Sequence, residues 1–202
     1  MIYIVLLIKI VTMVGAAPSF SKVHLLRALL IIKKIEMGRK NLVKKLGVGE
    51  GSVRTILGKL KQDKLIISAK EGHKLTKKGQ VYLKKYLKRF TLPQKFYSDE
   101  ISQDSAQSLI VVHNVASKIK SGIREHDLAV KAGADGSLVL IYKNNNLKFP
   151  GNDHSLDNYP NLKNKVSDLK LMEDDAIIIV FGKTETDAEN GALAIALDLT
   201  GN

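Results

Sequence analysis

Four side chains in the segment 50–63 have the types and spacing that suit contact with a nucleic-acid duplex. The segment reads EGSVRTILGKLKQD, and one helix face collects its apolar residues: Val53, Ile56, Leu57 and Leu60. The polar face opposite then carries Ser52, Arg54, Thr55 and Lys59. An arginine there can form a bidentate contact with guanine O6 and N7, whereas hydroxyls and lysine suit base edges or phosphates.

Further cations lie on both sides of this segment. A short helix predicted over 39–46 presents four side chains that suit phosphate contacts: Arg39, Lys40, Lys44 and Lys45. A predicted hairpin follows the third helix, and three side chains near its tip suit a groove or the backbone: Lys70, His73 and Lys74. If about six to eight phosphates are neutralised, the logarithm of affinity falls with that of salt at a slope near −5 to −7.

The charge is distributed unevenly along the chain. The 202 residues carry a formal net charge of +12. Residues 1–90 hold 21 Lys and Arg against four acidic residues, whereas residues 91–202 have a net charge of −5. This asymmetry favours a polyanion-binding half joined to a half with another task. Because the chain has no cysteine, disulfides, Cys-ligated zinc, iron–sulfur clusters and thiol catalysis are excluded, and we expect no cofactor.

Four helices and one hairpin are predicted in the basic half. The first helix begins after Ser19 or Ser21, and the others cover 39–46, about 50–63 and about 77–89. Gly47 stands where a helix end needs a left-handed residue. The hairpin strands are 65–67 and 74–76. The fourth helix is expected to bury Val81, Leu83, Tyr86 and Leu87.

The segment 38–66, GRKNLVKKLGVGEGSVRTILGKLKQDKLI, resembles the core of winged-helix transcription regulators. The matching features are the small polar helix, the turn Leu46-Gly47-Val48, the apolar third helix and the exit KLKQDKLI into a wing. At full length the chain resembles an archaeal family in which a winged helix precedes a C-terminal α/β domain of unknown function. The resemblance is carried by GEGSVRTILGKLK (49–61), EGHKLTKKG (71–79), IKSGIREHDLAVKAGADG (119–136) and FGKTETDAENGALAIAL (181–197). It implies transcription regulation and assigns no ligand or catalytic residue.

The expected fold class is α+β overall, with an N-terminal winged helix-turn-helix over 19–90 followed by a small α/β domain over 108–202. A polar, Pro93-containing linker is predicted over 91–107. Buried strands are predicted at 109–112, 138–142 and 176–181, and the second returns through an Asn-rich turn into 147–149. Helices are expected over about 115–132, about 162–171, and from a capping box at Thr186 and Glu189 to about Leu199.

Five polar side chains of the second half are candidates for a small-ligand site. His113 and Asn114 end a predicted strand, where open α/β sheets bind ligands. Arg124, Asp127 and Lys131 share one predicted helix face and could hold an anionic effector. The alternative is an ordinary exposed face with Arg–Asp and Asp–Lys pairs worth about 0.3–0.5 kcal/mol each. No catalytic constellation and no metal-ligand set stands out, so we do not expect an enzyme.

Residues 1–18 form an apolar extension whose only charge is Lys9. The extension is shorter than the ~20 residues that a membrane helix needs, and it lacks the basic start of a signal peptide. Two interpretations stay open, namely a buried helix or strand at a dimer interface, and a translation start at Met13. We expect a cytoplasmic protein without a membrane partner.

These features predict a sequence-specific transcriptional regulator that binds double-stranded DNA as a homodimer. Its third helix would enter the major groove, and the C-terminal domain would dimerise, sense a small anionic ligand, or do both. Two alternatives stay open. One is an RNA-binding or ribosome-associated winged-helix protein, which competition between duplex DNA and RNA would separate. The other is a basic targeting module fused to an unidentified enzyme domain.

Overall fold

The N-terminal half combines four helices with a two-stranded wing in the computed structural model, which describes residues 20–151 and 155–201. The apolar extension 1–18 and the start predicted at Met13 lie outside the described residues. The elements of this half are α1 (Lys22–Lys34), α2 (Arg39–Leu46), α3 (Glu50–Gln62), β1 (Ile66–Ala69), β2 (Gly72–Leu75) and α4 (Lys77–Leu87). This order and the antiparallel pairing of β1 with β2 give the predicted winged helix-turn-helix arrangement.

Local sequence accounts for the helix-turn-helix. The four apolar residues expected on the inner face of α3 are all buried, which confirms the predicted register: Val53, Ile56, Leu57 and Leu60. Gly47 ends α2 with φ of 70°, so the predicted left-handed position is also confirmed. Ser21 is the N-cap of α1, and its backbone N–H donates to His24 Nδ1 at 3.1 Å.

The wing is held by a third short segment that precedes α2. Met37 forms an isolated antiparallel bridge with His73 of β2, through hydrogen bonds of 3.3 and 3.0 Å. Gly72 has φ of 139°, and a Cβ there would lie 2.2 Å from the Met37 carbonyl carbon. Only glycine therefore allows the two backbones to approach this closely.

The C-terminal half is built on one antiparallel sheet. Its strands are β3 (Gln94–Phe96), β4 (Ala106–Val112), β5 (Gly136–Lys143), β6 (Asn146–Lys148) and β7 (Ala176–Gly182). They lie in the order β3-β4-β7-β5-β6, and every pair is antiparallel. The helices are α5 (Ile123–Lys131), α6 (Pro160–Ser167) and α7 (Glu185–Leu199). Helices α5 and α7 cover one face of the sheet and α6 the other, so β4 and β7 are buried on both sides.

Several expectations about element boundaries, and one about burial, are wrong. The segment 91–107 does not act only as a linker, because β3 lies within it and pairs with β4. The helix predicted over 115–132 is a 3-10 turn at Ala116–Lys118 and the shorter α5, separated by Gly122 with φ of 80°. The cap of α7 is Thr184, whose hydroxyl accepts from Asp187 N, and not Thr186. Val81 is 60% exposed, although burial was predicted.

The two halves share one hydrophobic core. Helix α1 packs against α7, and the buried residues of both belong to a single continuous cluster, including Leu29 and Leu193. The tip of the helix-turn-helix also contacts the second half, since a Cβ at Gly47 would lie 3.1 Å from Thr186 Cγ2. The winged helix is therefore docked on the C-terminal domain.

Candidate nucleic-acid interface

The exposed face of α3 carries the cation best placed for a base contact. Burial of Val53 and Ile56 turns Arg54 outward, where it is exposed and forms no ion pair within the part of the chain that the structure describes. An unpaired guanidinium keeps all five N–H donors for a ligand. Arg54 therefore has the position and the free donors that bidentate recognition of guanine requires.

The neighbouring side chains of α3 are partly engaged within the protein. The Thr55 hydroxyl donates to the Gly51 carbonyl at 3.1 Å, so in this rotamer only its lone pairs are left for a ligand. Lys59 Nζ lies 5.3 Å from the ring centroid of Phe20, a cation–π contact that ties it to the start of α1. Ser52 is partly buried near the helix start.

The cations predicted on α2 divide into three settings. Arg39 forms an exposed ion pair of 3.1 Å with Glu50, which joins the first turns of α2 and α3. Lys40 is exposed without an ion pair to any described residue. Lys44 and Lys45 are exposed at the end of α2, beside the acidic start of α7. The hydrogen bond and charge of Lys95 lower the pKa of Glu185 there, and the nearby Lys45 cation adds to the shift. Phosphate contact by Arg39 would compete with its carboxylate partner.

The three residues predicted at the wing lie in three different environments and do not form one surface. Lys70 is exposed at the tip, in the two-residue turn that joins β1 to β2. His73 lies in the middle of β2; burial and the nearby Lys61 cation lower its pKa, and its Nδ1 is buried without a hydrogen-bond partner in the described residues. Lys74 points to the other face of the strand, into a groove between α1 and α4. The wing thus offers Lys70 for contact, whereas His73 is held by its backbone bridge to Met37.

His113 and Asn114, the first pair predicted at a ligand site, are both bound by Asp175. His113 Nδ1 lies 3.1 Å from Asp175 Oδ2, and the Asn114 backbone N–H donates to Asp175 Oδ1 at 3.3 Å. Asp175 is 1% exposed and also accepts from Met172 N at 3.0 Å. The buried carboxylate fixes the connection between α6 and β7 against the end of β4. These contacts account for His113 and Asn114 as structural residues.

Arg124 does not join Asp127 and Lys131 as expected. It pairs with Asp198 near the end of α7 at 2.9 Å, while Asp127 lies 3.9 Å from His126. Lys131 is exposed. The end of α7 attracts two more cations, because Lys118 Nζ and an Arg89 Nη donate to the carbonyls of Leu199 and Thr200 at 2.7 and 2.9 Å. Cations here complement the negative end of the helix dipole, so Arg124 has a structural partner.

Sequence reasoning missed a polar cluster at the boundary between the halves. Arg27 lies in the otherwise apolar middle of α1, is 6% exposed, and donates to Glu189 and Thr186 at 2.8 and 3.3 Å. Its Nη1 also lies 3.5 Å from the buried Asn190 side chain. A single arginine inside an apolar helix signals a buried partner, but its sequence does not say which residue that is.

The fold and the exposed face of α3 define a two-domain α+β protein in which a winged helix is docked on an antiparallel sheet domain. Within residues 20–151 and 155–201, no helix is both long and apolar enough to cross a membrane.

Comparison with known proteins places the chain in a family. Residues 24–81 match the family described as "PH0730-like, N-terminal domain", and residues 103–199 match "Domain of unknown function (DUF4443)". The solved structure of the hypothetical protein PH0730 from Pyrococcus horikoshii OT3 is 32% identical, with a TM-score of 0.74, and the match covers 90% of this chain and 94% of that chain. The chain belongs to this PH0730-like family, which confirms the expected resemblance to a two-domain archaeal family. A search of curated proteins gives no match.

Proposed function

We propose that the protein is a transcriptional regulator that binds double-stranded DNA, with the start of α3 in the major groove. The observation that carries the proposal is Arg54, an exposed guanidinium without an ion-pair partner among the described residues, held outward by the buried face of α3. In winged-helix docking, that part of the third helix contacts the base edges. The excess of basic residues in the first 90 positions would add attraction to the phosphates.

The phosphate contacts would come from both sides of Arg54. Lys40 lies at the start of α2, and Lys70 lies at the wing tip, so the three cations belong to three elements. Both lysines are exposed, and neither forms an ion pair with a described residue. A duplex held by α2, α3 and the wing would be fixed in orientation, which leaves Arg54 to read sequence.

The C-terminal domain would bring two copies together in this proposal. Helix α5 exposes two large apolar side chains seven residues apart, Ile123 at 68% and Val130 at 46%. Because seven residues make about two helical turns, both lie on one face, as in a helix that packs on a partner. A dimer would contact two half-sites ~34–36 Å apart, or a multiple of that distance.

The test is selection of random duplex DNA by the purified full chain, followed by titration of the selected duplex at about 50–300 mM salt. We expect an enriched palindromic site and a log–log salt slope near −5 to −7, because about six to eight phosphates would be neutralised. Light scattering on the same sample measures the number of chains per duplex. Binding without any enriched sequence would overturn sequence-specific regulation.

An RNA arm in the same experiment separates the second class of nucleic acid. The deep, narrow major groove of A-form RNA does not admit a helix, so an α3-mediated complex would discriminate against duplex RNA of the same sequence. Equal affinity for the two duplexes would instead favour an RNA-binding role.

A further inference from the structure

A cavity of about 400 Å³ lies between the winged helix and the sheet domain. Its walls come from α1, the connection between α1 and α2, the end of α2, the connection before β3, and α7. Pockets for small organic ligands occupy about 300–1,000 Å³ and often lie at domain boundaries. The cavity therefore has the size and the place of a ligand site.

The floor of the cavity is apolar. The apolar lining residues include Leu30 and Ile31 of α1, Leu92 and Pro93 of the connection before β3, and Leu193 of α7. Leu30 and Leu193 belong to the core that both domains share. An inorganic ion would gain nothing from such a floor, whereas an apolar body would be removed from water there.

The mouth of the cavity has an excess of positive charge. Both carboxylates on the lining already have cationic partners, since Glu189 pairs with Arg27 and Glu185 pairs with Lys95. Three lining lysines, Lys34, Lys44 and Lys45, form no ion pair with any described residue. A ligand that brings a negative group would find ammonium donors at the mouth after its apolar part has entered.

We propose that this cavity binds a small amphipathic organic anion. Its apolar part would lie on Leu30, Ile31 and Leu193, and its carboxylate, sulfonate or phosphate group would contact Lys44 and Lys45. This site is distinct from the one predicted around His113 and Arg124, whose side chains already have partners in the fold. The ligand would contact α1, α2 and α7 simultaneously.

The position of the site suggests what occupancy does. Lys44 and Lys45 lie within three residues of Gly47, the turn that abuts Thr186 of α7. A ligand that favours one arrangement of this contact would shift the arrangement of the helix-turn-helix relative to the sheet domain. This regulatory consequence rests on the proposed function, but the binding site itself does not.

The test measures binding to the full chain without DNA, so its failure is separate from a failure of DNA recognition. The probes are 1-anilinonaphthalene-8-sulfonate, an apolar ring system with a sulfonate, and N-phenyl-1-naphthylamine, which lacks the sulfonate. We expect one sulfonate probe per chain, bound at least about tenfold more tightly than the neutral probe, a difference of about 1.4 kcal/mol. Displacement by octanoate and by octyl phosphate, with octanol as the neutral control, identifies the preferred headgroup.

Three variants locate the bound probe. Ile31→Trp fills the apolar floor and should abolish binding, and Leu92→Trp does the same from the connection before β3 if the first variant is poorly folded. The double substitution Lys44→Gln and Lys45→Gln should weaken the sulfonate probe about tenfold and leave the neutral probe unchanged. The double substitution Lys84→Gln and Lys85→Gln is the matched control, because it removes two exposed lysines of α4 that do not line the cavity. The proposal is overturned if the filled variants still bind the probe, or if the two double substitutions have equal effects.

Discussion

Arg27 of α1 and Glu189 of α7 form an ion pair across the boundary between the two domains. Arg27 Nε donates to Glu189 Oε2 at 2.8 Å, and Arg27 Nη2 lies 2.7 Å from the same oxygen. The arginine side chain is 7% exposed and the glutamate side chain 39%. Because the pair is continuous with the shared core, it holds the winged helix in one orientation on the sheet domain.

The unequal burial of this pair predicts unequal costs of removing each partner. Glu189→Ala leaves a buried guanidinium without its carboxylate and should lower the free energy of unfolding by about 3 kcal/mol. Arg27→Met keeps an apolar stem and leaves a carboxylate that water can reach, so the loss should be about 1 kcal/mol. Urea unfolding of both variants and of the double variant measures these values. A larger loss for Arg27→Met would contradict this account of the pair.

Gly72 and Gly58 should respond to alanine with opposite signs. Gly72→Ala places a methyl group against the Met37 backbone at a positive φ, so the unfolding free energy should fall by at least about 2 kcal/mol. Gly58 lies exposed within α3, and a Cβ at this position would have no neighbouring atom within 4 Å, so Gly58→Ala should raise the unfolding free energy by about 0.5–1 kcal/mol. Thermal and urea unfolding test both. Equal effects would show that the close approach at Met37 does not constrain the wing.

Substitutions of Arg54 should change the sequence preference of binding more than the salt dependence of the affinity. Arg54→Lys keeps the charge but loses the bidentate contact, so discrimination at its base should fall by about 1–3 kcal/mol while the salt slope stays nearly constant. Arg54→Ala should lose the same discrimination, and because Arg54 contacts a base and not a phosphate, the slope should again change by less than about 1. Competition between the selected duplex and single-base variants measures both quantities.

Lys170→Ala is the charge-matched control for Arg54→Ala, since it removes one exposed cation from the sheet domain. It should leave the sequence preference intact. If Lys170→Ala and Arg54→Ala weaken binding alike, net charge and not α3 governs recognition.

The stability of the winged helix should decline below neutral pH because of two histidines. Burial lowers the pKa of His24 and of His73 from the ordinary value of 6.5, and the Arg27 and Lys61 cations add to the respective shifts. The unfolded chain then binds protons more readily than the folded one, so this stability is present above pH 6.5 and is lost as the pH falls through 6.5 toward the folded pKa values. His24 must also be neutral at Nδ1 to accept from Ser21 N.

Melting temperatures between about pH 7.5 and pH 5.5 test the histidines. We expect a fall in the unsubstituted chain and a flatter profile in His24→Gln and in His73→Gln. His126→Gln removes an exposed histidine of α5 and serves as the control. Profiles that stay parallel to the original in both test variants would rule out these two groups.

Local patterns in the sequence were sufficient to predict the helices of the candidate interface and their buried faces. The spacing from Val53 to Leu60 determines which face of α3 is buried, and that burial decides where Arg54 points. The left-handed conformation of Gly47 at the end of α2 is also a local property, because this conformation favours glycine whatever the helix packs against. These properties depend on residues within a turn or two of each other.

Tertiary packing decided which polar groups are paired within the fold and which are left for a ligand. Arg124 pairs with Asp198 and Arg27 with Glu189, partners that are 74 and 162 positions away, so no local spacing could indicate them. β3 is a strand only because β4 offers it hydrogen bonds, and the composition of 91–107 alone is that of a linker. The sequence by itself therefore determined the helices and their faces. The fold decided which charges are neutralised and where a cavity is left, since both depend on surfaces that meet only after the two domains pack.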